Sequence, residues 1–124
     1  MIRLSDSEWQ VMELLWEQPR TLTELTAAFS ATTGWNKATI MTFLHRMEEK
    51  DAVGYEQGAR AKRYFPKIAR QDAQLEEASQ FLSRCFSGSI GLMVNTLLSG
   101  ASLKQEEIDE LYEILKQAEA KQHD

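Results

Sequence analysis

Two capping boxes constrain this chain more than any other feature of its sequence. In such a box a Ser or Thr side chain accepts from the N–H three residues on, and a Glu or Gln there reaches back to the cap's own N–H. Ser5 with Glu8 and Thr21 with Glu24 both fit. Each cap is worth about 1 kcal/mol, enough to fix where a helix begins. Behind the first, Trp9, Met12, Leu15 and Trp16 recur at helical spacing until Pro19 closes the segment. Behind the second, Leu22, Leu25, Ala28 and Phe29 form an apolar face that stops before Gly34. Asn36 is placed to cap a third helix running to about Lys50.

The pattern then changes period. Val53 to Gln57 alternates like a strand, Gly58-Ala59 reads as a turn, and Arg60 to Phe65 returns with aromatics until Pro66. This predicts a β-hairpin with a basic tip and return strand. Three short helices followed by a hairpin is the order of a winged helix-turn-helix, a mainly α fold. Its third helix enters the DNA major groove while the hairpin, or wing, lies along the backbone. The predicted domain covers residues 1–70.

Residues 71–124 return to helix and form the second predicted domain. Leu75, Ala78, Leu82 and Cys85 or Phe86 repeat at heptad-like spacing, and Ser87-Gly88-Ser89 interrupts them. Ile90 to Leu98, with Met93 and Leu97, is short and very apolar, and Ser99-Gly100-Ala101 reads as a turn. Ser102 with Gln105 predicts a third capping box, followed by Ile108, Leu111, Leu115 and Ala118. These three helices have apolar faces but no evident core to share. Burial against a second copy of the chain is the expectation, with Leu82, Phe86, Met93, Leu97, Ile108, Leu111 and Leu115 at the interface. Packing back onto the first domain is the alternative.

Charge is distributed unevenly. The net charge is −5, yet residues 36–70 hold eight Lys/Arg against four Asp/Glu, while both flanks are acidic. A basic segment suits a phosphate backbone, although scattered solvated charge gives the same count. No apolar run approaches the ~18 residues of a membrane span. MIRLSDSEW lacks the apolar core of a signal peptide. The single Cys85 excludes an intrachain disulfide and a four-thiolate zinc site within one chain. A cytoplasmic protein without membrane partner or cofactor is expected. Cys85 lies on an apolar face and is expected to be buried. His123 is too isolated for a metal ligand. No nucleophile–base pairing, phosphate-cradling glycine loop or metal-ligand cluster suggests catalysis.

The helix from Lys37 to Lys50 has two faces. At about 100° per residue, Ile40, Phe43, Leu44 and Met47 make a compact core stripe. Ala38, Met41, Thr42 and His45 cluster opposite, where charge would be easier to place. Methyl groups beside hydrogen-bonding groups suit a major groove: Ala38 and Met41 toward thymine methyls, Thr42 and His45 toward base edges. Thr39 and Arg46 lie to one side, where a phosphate strand would run, and Lys37 sits near the helix start, another phosphate position. The threonines can instead bond their own backbone, and His45 can be merely solvated. In the wing, Arg60, Lys62 and Arg63 are candidate phosphate or minor-groove contacts. Tyr55, Tyr64 and Phe65 are expected in the hairpin core, and Trp9, Trp16 and Trp35 in the core or at packing contacts.

"LSDSEWQVMELLW", "TGWNKATIMTFLHRMEEKDAVGYE" and "YFP" together resemble the penicillinase-repressor family of bacteria, over essentially the whole chain. The resemblance implies a homodimeric winged-helix repressor that holds a palindromic DNA operator of a β-lactamase-type or stress-response operon until a signal removes it. It implies that Arg60 matches an arginine common in the family. In the antibiotic-responsive branch, a sensor-linked protease cuts the dimerisation domain after an asparagine. Asn95 in "SIGLMVNTLLSG" matches that residue, and Thr96 stands where the family has phenylalanine. The copper-responsive branch ends in cysteine-rich motifs, whereas this chain ends AEAKQHD. A winged-helix module for protein–protein assembly is the alternative reading, favoured by the net acidity.

Overall fold

Both N-terminal capping boxes form in the computed structural model, which describes residues 2–122. His123 lies outside the described residues. Ser5 Oγ accepts from the Glu8 N–H at 3.2 Å, and Glu8 Oε1 accepts from the Ser5 N–H at 2.8 Å. They open α1 (Asp6–Glu17). Thr21 and Glu24 exchange the same pair at 3.2 and 3.0 Å to open α2 (Leu22–Ser30). Asn36 Oδ1 accepts from the Thr39 N–H at 2.9 Å and opens α3 (Lys37–Glu49). The end of α3 is as well defined as its start. Asp51 takes the left-handed φ of 64°, letting the Ala52 N–H reach Met47 O at 2.8 Å and the Asp51 N–H reach Glu48 O at 3.0 Å. This is a Schellman closure, with Met47 and Ala52 both buried beneath it.

The hairpin pairs β2 (Val53–Gln57) with β3 (Lys62–Pro66), in register from Val53↔Pro66 to Gln57↔Lys62. A third strand was not evident from the sequence. Arg20–Thr21, here β1, pairs antiparallel with β3 through Arg20↔Tyr64 and Thr21↔Arg63. Two residues are too few to show alternation, and β1 doubles as the lead-in to the α2 cap. The sheet order is β1-β3-β2. One core joins these elements: Val11, Met12 and Leu15 from α1, Leu25 and Phe29 from α2, Ile40, Leu44 and Met47 from α3, and Val53 and Tyr64 from the sheet. This is a winged-helix arrangement.

One charged side chain is buried within it. Glu8 is 1% exposed, and Lys50, from the end of α3, donates to its Oε1 at 2.6 Å and to Arg3 O at 2.9 Å. Burial pushes the Glu8 carboxyl up. The Lys50 hydrogen bond and charge and the Ser5 hydrogen bonds outweigh it and hold the group below its ordinary value of 4.5.

The chain divides into two compact units, residues 1–80 and 81–124. The sequence suggested a boundary near residue 70. Yet the first turns of α4 (Arg70–Phe86) pack on the first unit. Ala73 is buried, Arg70 pairs with Glu13 at 3.2 Å and stacks over Trp16, and Trp16 Nε1 donates to Ile68 O at 3.0 Å. The second unit continues with α5 (Ile90–Gly100) and α6 (Gln105–Gln122). Ser89 caps α5, accepting from the Leu92 N–H at 3.1 Å, and the helix runs through the expected turn at Ser99-Gly100. The expected Ser102–Gln105 box does not open α6. The helix begins at Gln105, and Glu107 Oε1 reaches back to the Lys104 N–H at 3.3 Å, a better-placed acid that shifts the start along the chain. Neither α5 nor α6 has a buried residue. Cys85 is exposed, contrary to expectation, and its neighbours Leu82 and Phe86 on α4 are only half-buried, so this part of the helix is incompletely covered within the chain.

The Glu8 carboxyl has a lowered folded value, so its stabilising contribution is present above 4.5 and is lost as pH falls through that folded value. Lys50→Ala should therefore cost about 2 kcal/mol at neutral pH, by leaving a buried carboxylate without its cation. The gap between the variant and the parent should narrow in urea titrations repeated near pH 4. A pH-independent gap would mean that the ammonium acts only through packing.

Candidate nucleic-acid interface

α3 is oriented by its own apolar stripe. Ile40, Leu44 and Met47 are fully buried and Phe43 half-buried. Trp35, just ahead of the helix, packs between Phe29 at 4.8 Å and Phe43 at 5.0 Å, which anchors the start of α3 to α2. The opposite face follows as a consequence. Ala38, Met41, Thr42 and His45 are all exposed, as are Lys37 and Arg46, whereas Thr39 is half-buried. Two of the polar groups are already engaged within the helix. The Thr42 hydroxyl donates to Ala38 O at 3.1 Å, and His45 Nε2 meets Glu49 Oε1 at 3.0 Å.

The wing tip is a four-residue connection, Gly58 to Ala61, closed by Gly58 N–H donating to Ala61 O at 3.0 Å. A Cβ at Gly58 would lie 2.6 Å from that oxygen, so the turn requires glycine. Arg60 therefore sits in the turn and not on the return strand as the sequence suggested. Lys62 opens β3 with its ammonium 4.2 Å above the Tyr55 ring. Tyr64 is buried and Phe65 half-buried, but Tyr55 is 42% exposed, because it faces outward beneath Lys62. Arg63 is committed to the fold: its Nη1 donates to Pro19 O at 3.3 Å and to Glu24 Oε1 at 3.2 Å. The Thr21 backbone and hydroxyl, and then the Arg63 and Arg20 charges, hold the Glu24 carboxyl below its ordinary value.

These elements meet around a cleft of about 250 Å³. Lys37 and Met41 line it from α3, Arg60, Ala61, Lys62 and Tyr64 from the wing, and Leu22 and Thr23 from the first turn of α2. Sequence patterning did not single out Leu22, Thr23 or Ala61 for this site. Only the Thr21 cap hinted that a helix start, with its unpaired N–H groups, would border the site. Among the described residues, Lys37, Arg46 and Arg60 make no ion pair, so their charge is available to a partner.

The predicted interface residues of the second unit are open to varying degrees. Leu82, Phe86, Met93 and Ile108 are half-buried, and Leu97, Leu111 and Leu115 are exposed. Leu98, Leu103, Ile108, Leu111, Tyr112 and Leu115 line an apolar groove of about 250 Å³. Asn95 and Thr96 lie exposed within α5, where Thr96 Oγ1 donates to Leu92 O at 2.8 Å. No single helix among the described residues is long and apolar enough to cross a membrane.

The sequence pattern of a family described as penicillinase repressor matches residues 4–117. A penicillinase repressor of Bacillus licheniformis is 34% identical over 116 residues, spanning 93% of this chain and 91% of the relative. One of Staphylococcus aureus is 24% identical over 115 residues, spanning 92% and 91%. Among solved structures, the solution structure of the Bacillus licheniformis BlaI monomeric form in complex with the blaP half-operator superposes with a TM-score of 0.51 at 30% identity. It covers 57% of this chain and 88% of that one.

The committed and uncommitted cations should separate on mutation. Lys37→Ala and Arg60→Ala should leave stability within about 0.5 kcal/mol of the parent. Arg63→Ala should lower the urea midpoint, because it releases β3 from Pro19 and Glu24. Equal effects at all three positions would contradict this division.

Proposed function

This chain belongs to the penicillinase-repressor family, and on that premise we propose that it is a DNA-binding transcriptional repressor acting as a homodimer on a palindromic operator. The observation that carries the reading is the cleft where α3, the wing and the start of α2 converge, bordered by Lys37, Arg60 and Lys62. In this reading α3 enters the major groove with Ala38, Met41, Thr42 and His45 toward the bases. Lys37, Thr39 and Arg46 flank it along the phosphates, and Arg60 and Lys62 follow the backbone with the wing. Arg63 acts mainly by holding the wing to α2. The solved half-operator complex of a relative at 30% identity supports the same use of the matching unit.

The second unit would supply the dimer. No residue of its α5 and α6 is fully buried within the chain, and an apolar groove bordered by Leu111 and Leu115 favours a second copy with the same face. A two-fold dimer presents two reading helices, hence two half-sites. Each half-site then binds at the effective concentration set by the other, so loss of the dimer costs far more than half the contacts. Removal of the repressor would act on this unit, by cleavage at Asn95–Thr96 by a sensor-linked protease or by another signal that opens the dimer. The reading helix would be unchanged, and each monomer would have to hold a half-site alone. The regulated genes would be a β-lactamase-type or stress-response operon, with the repressor in the cytoplasm alongside it.

Gel-shift titrations on the chain's own promoter across a range of salt concentrations test the reading. Arg60→Ala and Lys62→Ala should weaken binding to all sequences alike and lower the salt slope by about one unit for each phosphate that is no longer neutralised. Leu111→Asp or Leu115→Asp should shift sedimentation equilibrium toward monomer and reduce operator affinity by orders of magnitude. A full-length parent that stays monomeric at micromolar concentration would rule out the dimer. During induction by a cell-wall antibiotic, immunoblots should show a fragment ending near Asn95 as repression lifts. Derepression with the chain intact would assign release to another signal.

A further inference from the structure

The reading face of α3 uses contacts within its own helix to decide what it can read, provided that the chain binds DNA as proposed above. A backbone carbonyl only accepts, so the contact from Thr42 Oγ1 to Ala38 O at 3.1 Å engages the hydroxyl hydrogen. What Thr42 has left for a partner is its oxygen lone pairs and its methyl. His45 Nε2 lies 3.0 Å from Glu49 Oε1 in an i, i+4 ion contact, and a carboxylate oxygen, which only accepts, favours an N–H over a lone pair on the nitrogen facing it. In the neutral ring this leaves Nδ1 as a lone pair. The remaining members of the face, Ala38 and Met41, offer only apolar surface, and Met41 is 43% exposed. The Lys37 and Arg46 charges lie on its flanks.

We infer that this face is an acceptor-and-methyl surface, specific for strand positions at which adenine or cytosine turns its exocyclic amino group, or thymine its methyl, toward it, and that it selects against guanine at those positions. In the major groove adenine offers N6–H₂ and cytosine N4–H₂, both donors, while thymine offers its C5-methyl. Guanine offers N7 and O6, both acceptors, which would meet lone pairs on Thr42 and His45. Thr42 and His45 are thus specificity-determining residues for amino groups, and Ala38 and Met41 for methyl groups. Glu49 acts through His45, as a positioning residue that sets which ring nitrogen faces outward.

The test is selection from a random-sequence duplex library with the full chain at pH 8, followed by base-analogue substitution in the enriched site. Thymines should be enriched in each half-site, paired with adenine, alongside amino-bearing bases and without guanine at the strand positions read by Thr42 and His45. Replacing a contacted thymine by uracil should weaken binding about fourfold, as expected for one apolar methyl group. Met41→Ala should abolish that sensitivity for the thymine it covers. Thr42→Val keeps the shape and removes the acceptor, so its preference for the amino-bearing base should fall about tenfold. Enrichment of guanine opposite Thr42 or His45, or indifference to uracil at every position, overturns the inference and leaves DNA binding standing. Retention of no duplex at all overturns both.

Discussion

The carboxylate of Glu8 serves two elements with one oxygen. Its Oε1 accepts from the Ser5 N–H, which completes the cap of α1, and from the Lys50 ammonium, which ends α3. The start of the first helix and the end of α3 are thereby tied through a single buried group, although 42 residues separate them in sequence. The Schellman closure at Asp51 and Ala52 works at the same corner, turning the chain directly from α3 into β2. A buried charge is costly unless paired, so this contact tolerates little displacement of either helix. The pose of α3 relative to the wing follows from that intolerance together with the Trp35 packing at its other end.

Much of the first unit could be read from the residues because local signals agreed with each other there. Ser5, Thr21 and Asn36 each cap a helix whose apolar spacing independently called for one, and the core stripe of α3 was where periodicity placed it. The failures have identifiable causes. β1 is too short to carry a pattern. Arg63 looked like its neighbours in the basic wing, yet its partners Pro19 and Glu24 lie 44 and 39 residues away, and only the register of β1 with β3 brings them close. Ser102 offered a cap, but Glu107 reaches back to the Lys104 N–H, and the later start won. Cys85 follows the heptad-like spacing of α4 and yet is exposed, because spacing shows which residues share a face but not what covers it. For the interface itself, spacing showed which α3 residues face outward. It did not show that Thr42 and His45 already hold partners.

The two units differ in how they satisfy their apolar residues. The first closes a core of its own, with side chains from three helices and a sheet sealed from solvent. The second leaves Ile90, Leu97, Tyr112 and Leu115 more than 60% exposed, and no residue of its helices α5 and α6 is fully buried within one chain. Large contiguous apolar surface is rarely left open on a protein that works alone. A self-sufficient fold is thus joined to a unit whose apolar faces stay open within one chain.

The aromatic inventory follows the same division. The three tryptophans, Trp9, Trp16 and Trp35, all belong to the first unit, with Trp9 and Trp16 edge to face at 5.4 Å and Trp35 held between two phenylalanines. The second unit has no tryptophan, and Tyr112 borders its groove at 64% exposure. Indole emission thus originates in the first unit alone. Light absorbed by Tyr112 and passed to an indole would be the intrinsic signal able to connect the two halves of the molecule.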